Sequence, residues 1–107
     1  MKALLTRAGL ALVVTAAVAI PATASGSSSA TVILKHMRFS PALLTVKRGS
    51  SVTFVWKDGS IPHNVTGPGV KTSTKTKGTL TIHMTRRGRF TYRCTVHPGM
   101  KVRITVR

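Results

Sequence analysis

Acidic residues are almost missing from this chain. Against 17 Lys and Arg it carries one Asp or Glu, Asp58, which leaves a formal net charge of +16 over 107 residues. A lone carboxylate cannot form a pair. That excludes two-carboxylate glycoside hydrolysis, calcium loops and carboxylate-bridged di-metal sites. Cysteine is equally scarce. Cys94 stands alone, so an internal disulfide framework is excluded. No internal repeat is found, and no amphipathic helical pattern runs through residues 31–107. Disorder is not the consequence of this charge imbalance, because 42% of the residues are hydrophobic and can form a core.

Long apolar runs are limited to one. Ala8 to Ile20 is 13 residues long and apolar apart from Thr15, short of the roughly 20 residues that span a bilayer. Lys2 and Arg7 precede or open it, and Ala22-Thr23-Ala24 follows with the small residues of a cleavage site. Residues 1–24 therefore read as a secretory signal peptide, with an uncleaved anchor as the alternative. Residues 25–30 read as a flexible leader, and residues 31–107 as one domain. Loss of residues 1–24 removes two positive charges and leaves +14. A domain this small often needs a staple. With disulfides excluded, a bound metal is the staple to look for.

What is present alternates with period two. Val32 and Leu34 share a face, and a change of phase near His36 predicts a bulge that turns Met37 and Phe39 inward. Leu44 and Val46 follow, then Val52, Phe54 and Trp56, then Leu80, Ile82 and Met84, then Phe90, Tyr92 and Cys94, then Val102, Ile104 and Val106. Turn signals at Lys57-Asp58-Gly59-Ser60 and Arg86-Arg87-Gly88 separate these runs. The pattern predicts six or seven short strands in an antiparallel β-sandwich. Residues 66–79 read as a loop with at most one ragged edge strand.

Chemistry concentrates in Cys94-Thr95-Val96-His97-Pro98-Gly99-Met100 and in an upstream Pro62-His63-Asn64. Cys94, His97, Met100 and His63 each offer a ligand atom. Thiolate and thioether sulfurs suit Cu(I), and imidazole suits Cu(II) as well; two His, one Cys and a long axial Met make a blue-copper electron-transfer site. Given Cys94, chance placement of His and Met at these offsets is roughly one in 700. The strand that ends at Cys94 and the strand that follows Met100 would hold both ends of the ligand loop.

These motifs resemble the plastocyanin-like cupredoxins, with a ligand loop most like that of the amicyanins. The matching stretches are PHN at 62–64 and CTVHPGM at 94–100, with weaker ones at FSP 39–41, TVKRG 45–49, VTFVW 52–56 and GRFTYRC 88–94. The resemblance implies a Greek-key sandwich holding one type 1 copper. It implies His63, Cys94 and His97 as strong equatorial ligands and Met100 as the axial one. It implies that Asn64 ties the two ligand loops together and assists the Cys94 sulfur, and that His97 near the surface passes the electron. Val102 departs from the glycine that many relatives carry two residues after the methionine.

Other residues receive plainer readings. His83 alternates outward, and His36 belongs to the expected bulge. Met37, Met84, Phe54 and Trp56 are assigned to the core. Asn64-Val65-Thr66 matches a glycosylation sequon, but an Asn between ligand loops cannot also carry a glycan.

The function expected is that of an exported, monomeric, non-enzymatic carrier of single electrons. Storage, scavenging or delivery of copper in the cell envelope is the alternative. A metal-free cationic module that binds the envelope is a third reading. The basic charge predicts an acidic redox partner or an anionic envelope surface. Nucleic acid is not expected as a partner, since export and the absence of a motif argue against it. Nor is a stable membrane span.

Overall fold

In a computed structural model of the protein, residues 28–107 are described. The expected signal peptide and residues 25–27 of the expected leader lie outside them. Nine strands follow in chain order: β1 (Ser29–Lys35), β2 (Arg38–Ser40), β3 (Leu43–Val46), β4 (Ser51–Trp56), β5 (Thr66–Gly67), β6 (Val70–Lys71), β7 (Gly78–His83), β8 (Gly88–Arg93) and β9 (Lys101–Val106). They form two sheets, in the orders β2-β1-β4-β7 and β3-β9-β8-β5-β6. The period-two runs bury one face of each sheet, as in β4, where Val52, Phe54 and Trp56 point inward. Facing them across the sandwich are Val102, Ile104 and Val106 of β9. Phe54 joins the sheets, with edge-on ring contacts of 5.9 Å to both Phe39 and Tyr92. Each such side chain contributes about 1.5–3 kcal/mol on burial. Val102 is fully buried in this core.

The strands number nine and not six or seven, because residues 66–79, expected as a loop with at most one edge strand, carry β5, β6 and the start of β7. Three further details differ from the sequence expectations. Each sheet contains one parallel pair, β1 with β4 and β3 with β9, so the sandwich is mixed and not wholly antiparallel. The chain crosses between the sheets after β2 and again after β3, and such crossings bring strands side by side in the same direction. Strand β1 starts at Ser29, so residues 29 and 30, expected in the leader, already pair with Ser51 and Val52.

The third difference lies at His36. There is a two-residue hairpin turn instead of a bulge: Lys35 pairs with Arg38, and both His36 and Met37 have φ of 56°. Such a left-handed pair is the turn that matches strand twist. It leaves Met37 52% exposed, whereas Phe39 is buried as expected. Met84 is buried as expected, and His83 is exposed, facing the Ser51 hydroxyl at 2.9 Å.

The topology gathers three connections at one end of the sandwich. Leu34 is level with Trp56, and Arg93 with Lys101, so the 36–37 turn, the segment 57–65 and the loop 94–100 leave the sheets together. Gly67 keeps the second of these against β8. A Cβ there would overlap the Tyr92 ring and lie 2.8 Å from the Thr91 carbonyl oxygen, so only glycine permits the approach.

Candidate metal centre

Strand β8 delivers Cys94, buried at its end with Tyr92 on the same inward face. The chain then folds into a closed loop. The Cys94 N–H donates to the Met100 carbonyl at 3.0 Å, and the Met100 N–H donates to that of His97 at 3.1 Å. Met100, buried, leads directly into β9. The spacing of Cys, His and Met is therefore the spacing of one hydrogen-bonded loop between two paired strands.

His63 arrives from the other side on a backbone that is held throughout. It exchanges two hydrogen bonds of 2.9 Å with Lys75, and its carbonyl accepts the Trp56 indole N–H at 2.8 Å. Lys75 also covers the Trp56 ring, 4.5 Å from its centre. Asn64, buried, fastens this segment to the cysteine loop. Its side-chain oxygen accepts the Thr95 N–H at 3.0 Å, and its amide donates to the Thr95 and Thr74 hydroxyls at 2.8 and 3.0 Å. Asn64 thus bonds across the two loops, and both of its amide donors go to threonines and not to sulfur. Burial of Asn64 also leaves no room for a glycan on the sequon.

The result is a triangle of ligand atoms. His63 Nδ1 and His97 Nδ1 are 3.1 Å apart, and the Cys94 sulfur lies 3.8 and 3.5 Å from them. A first-row metal about 2.0 Å from nitrogen and about 2.3 Å from sulfur, centred in a trigonal plane, requires edges of about 3.5 and about 3.7 Å. The donor set fits such an ion with shifts of a few tenths of an ångström. His63 and Cys94 are buried and His97 is half-buried, so one corner of the triangle reaches towards solvent.

The one acid also belongs to this end. Asp58 Oδ2 accepts from His63 Nε2 at 2.7 Å, and its two oxygens accept the N–H groups of Met37 and His36 at 3.0 Å each. These bonds, led by that from His63, hold its carboxyl down to about 2. Sequence reading assigned Asp58 only to a turn. The available signal was its place five residues before His63, in a chain with no other acid.

The family model for the cupredoxin-like domain matches residues 8–106. The chain belongs to the cupredoxin family. It is 32% identical over 88 residues to amicyanin-alpha of Methylorubrum extorquens, an alignment covering 75% of this chain and 73% of that one. Among solved structures, it is similar to a Cu(I) form of an amicyanin mutant, with 28% identity, a TM-score of 0.65 and coverage of 79% and 86% of the two chains. A purple cupredoxin from Nitrosopumilus maritimus has the same fold, at a TM-score of 0.64 and 23% identity, over 73% of this chain and 99% of that one. In this cupredoxin His63, Cys94, His97 and Met100 form a type 1 copper arrangement, and the cofactor it accommodates is one copper. No helix among the described residues is long and apolar enough to cross a membrane.

Proposed function

We propose that this cupredoxin is an exported carrier of single electrons, with His63, Cys94 and His97 as the three strong ligands and Met100 as the axial one. The observation that carries the reading is the triangle of His63 Nδ1, His97 Nδ1 and Cys94 Sγ with edges of 3.1, 3.5 and 3.8 Å. Bound copper supplies a one-electron couple at this point, and a mixed nitrogen and sulfur set suits both of its oxidation states. The protein's part is to hold that set still. Cys94 and Met100 are fixed by the loop hydrogen bonds, His63 by its bridge to Lys75, and the two loops by Asn64. Ligands held in this way have little to rearrange when the charge at the site changes.

His97 is the ligand nearest solvent and the proposed point of electron entry and exit. Exposed apolar residues lie beside it in the chain or on the ligand-bearing segments: Val96 is 45% exposed and Ile61 36%. Such a rim excludes water at contact, and the charge around it selects the partner. The outer face of the second sheet carries Arg93, Lys101 and Arg103, with Arg93 level with Lys101. An acidic redox partner is the complement of that surface. One chain contains the whole ligand set, so a monomer suffices for the proposed activity. Export is inferred from the basic, apolar and small-residue order of residues 1–24.

Carriage and copper delivery are separated by what leaves the protein. The copper-loaded domain is cycled between oxidised and reduced forms in the presence of a competing chelator. A carrier retains its metal through repeated cycles. Transfer of the metal to the chelator on reduction would establish delivery instead.

A further inference from the structure

Asp58 has a role that neither the ligand motif nor the family match assigns. An ionised carboxylate only accepts hydrogen bonds. The 2.7 Å contact to His63 Nε2 therefore places the His63 proton on Nε2. In the neutral ring Nδ1 is then the bare nitrogen, and Nδ1 is the atom that faces the Cys94 sulfur and His97. Because a histidine side chain pivots about its own bonds, a partner on the far nitrogen also fixes the plane of the ring. His63 is fully buried and the Asp58 side chain is 9% exposed, so water competes weakly for the bond.

The same carboxylate holds the hairpin turn at His36 and Met37, two non-glycine residues in the left-handed region. Three hydrogen bonds thus converge on the only carboxylate side chain in the protein. Around it, the charge of the chain is otherwise entirely positive.

We propose that Asp58 is a positioning residue for the copper site: it selects the Nε2–H tautomer of His63, orients Nδ1 to the metal and, through its negative charge, lowers the reduction potential. The inference rests on the copper reading above. A carboxylate behind a ligating imidazole makes that imidazole more basic, and the change favours the more highly charged Cu(II). No atom is transferred. The couple gains one electron, Asp58 stays ionised and the Nε2 proton of His63 stays where it is.

The test has two parts, one without copper. In the copper-free protein, nitrogen-15 NMR of His63 shows a proton on Nε2 in the wild type; a bare Nε2 overturns the proposal. This readout stands even if the chain takes up no copper, an outcome that refutes the copper reading alone. In the copper-loaded protein, Asp58→Asn shifts the relative affinity towards Cu(I) by about tenfold, a rise of about 59 mV for a one-electron couple. The turn is controlled separately. His36→Asn with Met37→Gly builds a turn that favours the left-handed pair without help from the carboxylate. Those two substitutions alone leave the potential in place, and Asp58→Asn in that background still raises it. An unchanged potential in Asp58→Asn, or an equal shift from the turn substitutions alone, overturns the proposal.

Discussion

Asn64 grips Thr95 twice, accepting its backbone N–H at 3.0 Å and donating to its hydroxyl at 2.8 Å. The two residues are 31 positions apart, and each adjoins a ligand, His63 or Cys94. This pair is what turns two separate loops into one site. Removing it by Asn64→Ala leaves the Thr95 N–H without its partner. A lost buried hydrogen bond of this kind costs about 1–3 kcal/mol, and loss of outer support lowers metal affinity about 10–100-fold. Denaturant unfolding of the copper-free domain and copper competition titration measure the two effects. Full retention of both would remove Asn64 from the account.

Copper should stabilise the fold, because the triangle exists only in the native chain. At free copper about 1,000 times the dissociation constant, linkage contributes about 4 kcal/mol. For a domain of this size each kcal/mol moves Tm by about 4–8 °C, so calorimetry should show a rise of 15 °C or more. In His63→Ala the rise should shrink to a small fraction. Coincident melting curves with and without copper would contradict a site assembled by folding.

The acid limb of stability should report Asp58. Its carboxyl is lowered from 3.8 to about 2, first by the bond from His63 and then by the Met37 N–H. A folded value below the unfolded one means that the ionised group stabilises the native state. The contribution is complete above pH 3.8 and is lost as pH falls towards about 2. With no other acidic side chain in the protein, the window is uncluttered. Unfolding midpoints of the copper-free domain should decline across it, and Asp58→Asn should flatten the decline. Parallel profiles for the two proteins would speak against the bond.

Charge should govern encounter. Electron exchange with an anionic one-electron probe should slow as salt is raised, since the screening length falls from about 10 Å at 0.1 M to about 3 Å at 1 M. With a cationic probe the trend should reverse. Arg93→Gln combined with Arg103→Gln should weaken the salt dependence if this face steers the partner. Stopped-flow rates at several ionic strengths decide it, and salt-independent rates for both probes would rule out steering.

The ligands were legible because Cys94, His97 and Met100 belong to one loop whose spacing is set locally, and His63 carries the Pro and Asn of a recognisable segment. The strands were legible because each buries one face. Met37 was misplaced for a local reason. The change of phase near His36 reads as a bulge within one continuing strand, whereas a two-residue turn reverses the chain there and exposes Met37. The parallel pairings of β1 with β4 and β3 with β9 depend on where the chain crosses between sheets, which periodicity does not encode. Asp58 looked like a turn residue because its partners, the far nitrogen of His63 and two backbone N–H groups 21 and 22 residues away, meet it only in the folded chain.

The central claim is that Cys94 supplies the thiolate of a type 1 copper site. The visible and electron paramagnetic resonance spectra of the Cu(II)-loaded domain test it most directly. The account predicts an intense thiolate-to-copper absorption and a small hyperfine splitting, both abolished in Cys94→Ser. A colourless copper complex, or one whose spectra survive Cys94→Ser unchanged, would contradict it.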